Sequence, residues 1–148
     1  MNSPVLFQNK TQTGFTLIEV LIVIAITALL ALVTSPFMSR FVLQTQYNTT
    51  TDNILSSIRK AQAYAMDGKN GAVWGVCRAS DNIRLYQGSC STPVTSEDFS
   101  IPSSVTVTDL NDITFNQRGE PSSMLSISIS TSIISSSIQL NISGGTNY

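Results

Sequence analysis

The sequence predicts an α+β protein: a long N-terminal α-helix, partly transmembrane, packed on a C-terminal antiparallel β-sheet head. Three observations carry this expectation. Residues Phe15 to Val33 read FTLIEVLIVIAITALLALV, a run of 19 residues with one charge, Glu19. Beyond Pro36 apolar residues recur at helical spacing as far as Met66, and beyond Gly68 they alternate with Ser and Thr at period two. A chain of 148 residues makes one ordinary domain, or a small domain with an appended element.

The apolar run is long enough, at about 1.5 Å per residue, to cross the hydrocarbon core of a bilayer. As a buried core helix it would be apolar on every side, and a remainder this rich in Ser and Thr could hardly cover it. As a secretory signal it would need a small-residue cleavage site behind it. The best pair is Val33 and Ser35, and cutting there leaves Pro36 at the new terminus, which is a poor site. In the polar stretch from Met1 to Gly14 the only charge is Lys10. The positive-inside rule keeps it cytoplasmic and sends the C-terminal ~110 residues outward.

Glu19 needs a reason. A carboxylate near the end of an apolar helix costs up to a few kcal/mol, less if it snorkels to the headgroups. It is tolerated best when paired. Glu19 lies one helical turn after Phe15, so a free α-amine at Phe15 of a neighbouring helix is a cation it could neutralise.

The segment Gly14-Phe15-Thr16-Leu17-Ile18-Glu19-Val20, with the apolar run behind it and Pro36 further on, resembles the N-terminus of type IV pilins and type II secretion pseudopilins. The resemblance implies that residues 1–14 form a leader cut by a prepilin peptidase between Gly14 and Phe15. Phe15 is then N-methylated, and Glu19 sets the register against a neighbouring subunit. Residues 15–35 would be the transmembrane and polymerisation helix, 36–67 its amphipathic second half, and 68–148 the β-rich head. The implied partners are the peptidase, other pilin or pseudopilin subunits in a homo- or hetero-filament, an inner-membrane assembly platform and membrane lipid. The implied location is a single-pass inner-membrane protein, N-terminus cytoplasmic and head extracytoplasmic, that passes into a pilus or pseudopilus filament. The leader departs from the usual pattern, with one Lys and an apolar Val5-Leu6-Phe7 patch. The alternative from another class is a membrane-anchored binding module that never polymerises. It needs the same helix but has no use for Gly14 or Glu19.

After Pro36, Ile54, Ile58, Ala61 and Ala65 form a stripe at i, i+4, i+7 and i+11, with Tyr47 and Leu55 beside it. Asp67-Gly68 supplies a stop. A helix from Phe15 to Met66 would be roughly 78 Å long, and Pro36 predicts a kink or a melted turn near Ser35. Strands are expected over Ala72–Arg78 and Ile83–Tyr86, flanking the turn Ser80-Asp81-Asn82. Two more lie around Val105/Val107 and Ile113/Phe115, on either side of Asn111-Asp112. The Ser/Ile tract at 122–143 adds strands at Leu125, Ile127, Ile129 and at Ile138, Leu140, Ile142. A single antiparallel sheet would lay its Ile face on the helix stripe. Ile58–Ala65, Gly75-Val76, Ile113–Gly119, and Gln139–Ile142 followed by Gly144-Gly145 are similar to segments of GspH/FimT-like minor pilins.

Composition sets the chemistry. Only 11% of the chain is charged, against a usual quarter or so, while Ser (22) and Thr (16) supply the polarity. With a net charge of −1, eight dispersed basic residues give no face for a phosphate backbone. Arg78, Arg84 and Arg118 are scattered, and residues 141–148 carry no base, unlike the basic C-terminal motif of DNA-binding members of the resembled family. There is no His, which removes the commonest general base and zinc ligand. No Ser/His/Asp set, phosphate loop or carboxylate pair outside turns is present, so neither catalytic residues, metal nor cofactor is expected. Asp109, Asn111 and Asp112 could suit calcium, but turn geometry accounts for them equally well. Cys77 and Cys90, exported, are expected to be bonded, the alternative being two buried free thiols. Their closed loop of 14 residues would be worth about 3 kcal/mol.

Overall fold

A computed structural model describes residues 14–147, with side chains at all of these except 33–36. It divides into two compact units, residues up to Met38 and residues from Ser39 onward.

In the first unit, helix α1 (Leu17–Met66) begins. Its most apolar 18-residue window has a mean hydropathy of 2.8 and none of it is buried, so it is long and apolar enough to cross a membrane. Helical backbone continues through Pro36, and with it through the turn near Ser35 that the sequence marks for melting.

In the second unit the remainder of α1 carries the expected stripe. Ile54, Ile58 and Ala61 are fully buried, and Tyr47, Leu55 and Ala65 nearly so. The helix stops where the sequence says, because Gly68 takes a left-handed backbone (φ 61°) and its N–H donates to the Ala65 carbonyl at 3.2 Å. A short 3-10 turn (Lys69–Gly71) follows. There Lys69 folds back with its ammonium 3.6 Å from the Tyr64 ring centroid, and Tyr64 packs edge-on against Trp74 at 4.8 Å.

Among the described residues eight strands follow: β1 (Trp74–Ala79), β2 (Asn82–Gln87), β3 (Thr95–Ser100), β4 (Thr106–Thr108), β5 (Ile113–Phe115), β6 (Leu125–Ser130), β7 (Ser135–Leu140) and β8 (Thr146–Asn147). They form two antiparallel sheets, β3-β2-β1-β5 and β4-β6-β7-β8. The expected single sheet is therefore two. The chain changes sheets between β4 and β5, where Asp109 adopts φ 62°, so the segments around Val107 and Ile113 do not form a hairpin. Strand β1 starts at Trp74 rather than Ala72, and its hairpin turn holds only Ser80 and Asp81. Strand β3 was not anticipated: Thr-Ser-Glu-Asp-Phe-Ser has no apolar alternation, because it is an edge strand exposed over most of its length. Both sheets turn apolar faces inward, with Val76, Ile83, Leu85 and Ile113 from one and Val107, Ile127, Ile129 and Ile138 from the other joining the helix stripe in one core.

Two loops lock that core onto the helix. Gln62 Nε2 donates to the Gly119 carbonyl at 2.9 Å. A Cβ at Gly144 (φ 79°) would lie 2.3 Å from Gln62 Nε2 and 2.5 Å from the Gly119 carbonyl oxygen. Gly144→Ala therefore meets a main-chain atom that cannot swing away and a backbone angle that penalises any side chain. It is expected to lower head stability by about 2–3 kcal/mol, read as the shift in chemical-denaturation midpoint against the parent chain.

Candidate functional site

Gly14 lies outside any regular element and is exposed, and among the described residues no atom beyond its chain neighbours lies within 4 Å of where a Cβ would stand. Among the described residues nothing packs on the Gly side of the Gly14–Phe15 peptide bond, and Phe15 is itself 84% exposed. Thr16 caps the helix: its Oγ1 accepts from the Glu19 N–H at 3.3 Å, and its carbonyl accepts the same N–H at 3.1 Å. This cap at Thr16 is absent from the sequence reading, although T-x-x-E before an apolar run is a recognisable capping signature. Glu19 lies in the first turn, where a carboxylate complements the positive end of the helix dipole. Phe15 and Glu19 border one shallow apolar groove with Val20, Val23 and Ile24. Two expected site residues, Phe15 and Glu19, are thus together at one helix end, with Gly14 adjoining. Residues 1–13 of the expected leader, with Lys10, lie outside the described residues.

Residues 9–35 match the prokaryotic N-terminal methylation motif. The methylation motif covers Gly14, Phe15, Glu19 and the apolar stretch to Ser35, and it is the motif of type IV pilin-like prepilins, which are structural subunits. The motif and the exposed apolar helix that carries it fit a membrane-anchored, pilin-like chain. Comparison of the chain with curated proteins and with solved structures returns no match.

A second constellation lies on the face of the β3-β2-β1-β5 sheet turned away from the core. Cys77 and Cys90 are joined in a disulfide, Cα atoms 6.2 Å apart, and no described cysteine is free. Arg84 forks onto Asp98 with contacts of 2.8 and 2.7 Å and also donates to the Cys90 carbonyl at 3.2 Å. Its hydrogen bonds hold the Asp98 carboxyl below its usual range and raise the Arg84 guanidinium. Arg78 is likewise spent internally, on the carbonyls of Ser80 and Val107, while Arg118 sits in the Asn116–Glu120 turn. These three Arg do not line a common groove. Among the described residues no His/Cys/Asp/Glu cluster could hold a metal ion, and Asp112 serves instead as acceptor for the Tyr86 hydroxyl.

Tyr86 crosses over Gly75, its cross-strand partner. A Cβ at Gly75 would stand 2.5 Å from the phenol oxygen and 2.6 Å from the Ile113 carbonyl oxygen, so glycine is required there by close approach. Burial, then the Asp112 hydrogen bond and charge, push the Tyr86 hydroxyl well above the ordinary tyrosine value. Because the folded state holds that proton more tightly, this stabilisation is complete below about pH 10 and is lost as pH rises through the raised value. Spectrophotometric titration should show one of the four tyrosines ionising last. Tyr86→Phe should remove that step and, by leaving Asp112 without its donor, lower stability at neutral pH by about 1–2 kcal/mol.

Proposed function

We propose that this chain is a prepilin that a prepilin peptidase cuts after Gly14, that is N-methylated at Phe15, and that assembles with other subunits into a type IV pilus or a type II secretion-like filament. The observation that carries the reading is the methylation motif at residues 9–35, placed at the head of an exposed apolar helix. On this reading residues 1–14 are the leader and 15–35 the span and polymerisation helix. Residues 36–67 are the half that bears the head, with Pro36 as the position where the helix bends, and residues 68–148 are the head. On this reading the assembly platform of the inner membrane extracts the subunit and the head stays extracytoplasmic throughout; the Cys77–Cys90 disulfide supports this, since such bonds persist in oxidising compartments. A minor subunit of the GspH/FimT-like kind is the finer reading. Its support is that the Ala61-Gln62 segment, the Phe115–Gly119 turn and Gly144, picked out by resemblance, are the segments that interlock at Gln62.

Intact-mass and N-terminal peptide spectrometry of the mature protein tests the proposal. The expected species starts at an N-methylated Phe15; a mature chain that retains Met1–Gly14 sinks it.

A further inference from the structure

Strand β5 stops short of the chain it lies beside. It pairs with β1 through Trp74↔Phe115, Gly75↔Thr114 and Val76↔Ile113, a register that would set Ala72 opposite Gln117 if it ran on. Instead the chain turns back on itself, with the Asn116 N–H donating to the Glu120 carbonyl at 3.0 Å and Phe115 bridged to Pro121. Ala72 keeps an extended backbone all the same (φ −119°, ψ 160°). The ladder fixes where its main-chain groups point. The Val73 carbonyl accepts from the Gly88 N–H at 2.9 Å on the β2 side. Successive residues of an extended chain alternate, so the N–H and C=O of Ala72 point to the β5 side. Neither has a partner among the described residues.

Ala72 lines a cleft of about 500 Å³ whose walls are two internal stretches, within 65–73 and 115–120. That volume is in the range of sites that hold small ligands, about 300–1,000 Å³. Ala65, Val73 and Phe115 give the cleft apolar surface. Its rim at Gly68 and Gly71 is open, since a Cβ at either would meet nothing within 4 Å. Arg118 supplies the charge. Arg78 and Arg84 are spent on internal acceptors, but Arg118 is held only by its main-chain N–H, which donates to Asn116 Oδ1 at 2.9 Å. Its guanidinium has no acceptor among the described residues. The neighbouring Glu120 carboxylate already accepts from Asn116 Nδ2 at 2.8 Å, so the charge left without a partner in this cleft is the cation.

We infer that the cleft takes an extended peptide segment of another protein that carries a carboxylate. A donor and an acceptor from one extended residue are what a passing main chain matches, as in strand addition. The segment lies where β5 would have continued and bonds to both groups of Ala72. Its carboxylate meets the planar Arg118 fork, which suits that shape in two parallel hydrogen bonds. A second copy of this chain is the poorer occupant. Among the described strands only β3 carries carboxylates, and its Glu97 and Asp98 are already bound to Lys60 and Arg84. Nothing in the site depends on processing at Gly14.

The test is a nuclear magnetic resonance titration of the full-length, isotope-labelled chain in detergent micelles. The probe is the blocked tripeptide acetyl-Val-Asp-Val-amide, beside its Asn counterpart and sodium acetate. The aspartyl peptide should shift the Ala72 amide and the Arg118 Nε–H together and saturably, and the asparaginyl peptide should bind several-fold more weakly. Arg118→Gln should bring the aspartyl peptide down to the asparaginyl level with an unchanged denaturation midpoint, because the guanidinium holds nothing inside the molecule. Arg118→Lys should recover part of the loss. Equal affinity for the two peptides, or undiminished binding by Arg118→Gln, overturns the inference. So does a response at Arg118 without one at Ala72, matched by acetate alone, which would be an anion on a surface arginine. Shifts at both positions that follow protein concentration without any peptide would give the cleft to a second copy, and overturn it as well.

Discussion

A Glu19→Ala chain is expected to insert in the membrane and to be cut after Gly14, yet to be nearly absent from filaments. Glu19 and Phe15 border one groove at the helix start, so a new α-amine on Phe15 of one subunit can meet the Glu19 carboxylate of another in a medium of low dielectric. Removing one partner of such a buried pair leaves an uncompensated charge, at a cost of about 3–5 kcal/mol. At 1.4 kcal/mol per factor of ten, this depletes assembled subunit by roughly two to three and a half orders of magnitude. The structure also shows why Ala alone is not a sufficient test, since Glu19 occupies the first helical turn and favours that end of the helix by its charge. Glu19→Gln keeps size and helix propensity while deleting the charge. Thr16→Ala deletes the Oγ1 cap, worth about 1 kcal/mol, and keeps the charge. Inter-subunit pairing predicts that Glu19→Gln fails like Glu19→Ala and that Thr16→Ala assembles. Filaments of Glu19→Gln at the parental level would assign Glu19 to the helix end alone and leave the non-polymerising anchor as the better reading.

How much of this was legible before the structure depended on whether a segment's neighbours are local. The helix, its stripe of Ile54, Ile58, Ala61 and Ala65, and its stop at Gly68 are written in periodicity and turn chemistry. So is β6, where Ser/Ile alternation mirrors the exposed and buried faces, and so are Ile138 and Leu140 of β7, whereas Ile142, read with them, lies beyond the strand and is exposed. The division into two sheets was not legible, because alternation marks strands without saying which strands pair. Nothing around Asp109 distinguishes a hairpin from a crossing between sheets. Strand β3 was invisible for a related reason: an edge strand exposed over most of its length carries a single apolar residue, Phe99, and its charges find their partners 37 and 14 residues away, on Lys60 and Arg84. In the site, Gly14, Phe15 and Glu19 are a local motif and could be read directly. The Tyr86–Asp112 contact over Gly75 could not, because its members are 26 residues apart, one on β2 and the other in the loop before β5.

Reduction of the Cys77–Cys90 bridge, or Cys77→Ser, is expected to destabilise the head by about 3 kcal/mol while leaving the Phe15–Val33 segment in the membrane. The bridge closes a loop that starts on β1, runs through β2 and returns in the connection to β3, and the chain-entropy model gives a loop of this length about that value. The effect should spread beyond the cystine. Arg84 donates to the Cys90 carbonyl while its fork holds Asp98 on the edge strand, so releasing the loop loosens the β2–β3 pairing as well. Cys77 is only 2% exposed, and serine there would bury a hydroxyl in the space the sulfur filled. A Cys90→Ser chain, whose substitution lies on the less buried side, separates the two costs. If the cross-link dominates, both variants lose similar stability, and hydrogen exchange accelerates first in β2 and β3. If only Cys77→Ser is impaired, burial of the hydroxyl is responsible and the bridge is dispensable. On the proposed reading both variants should still be cut after Gly14, because Gly14 lies in a different compact unit from the two cysteines. Their loss should therefore appear as degraded or under-represented subunit in filaments and not as accumulated precursor. Two alkylatable thiols in the untreated native protein would show that the bridge does not form.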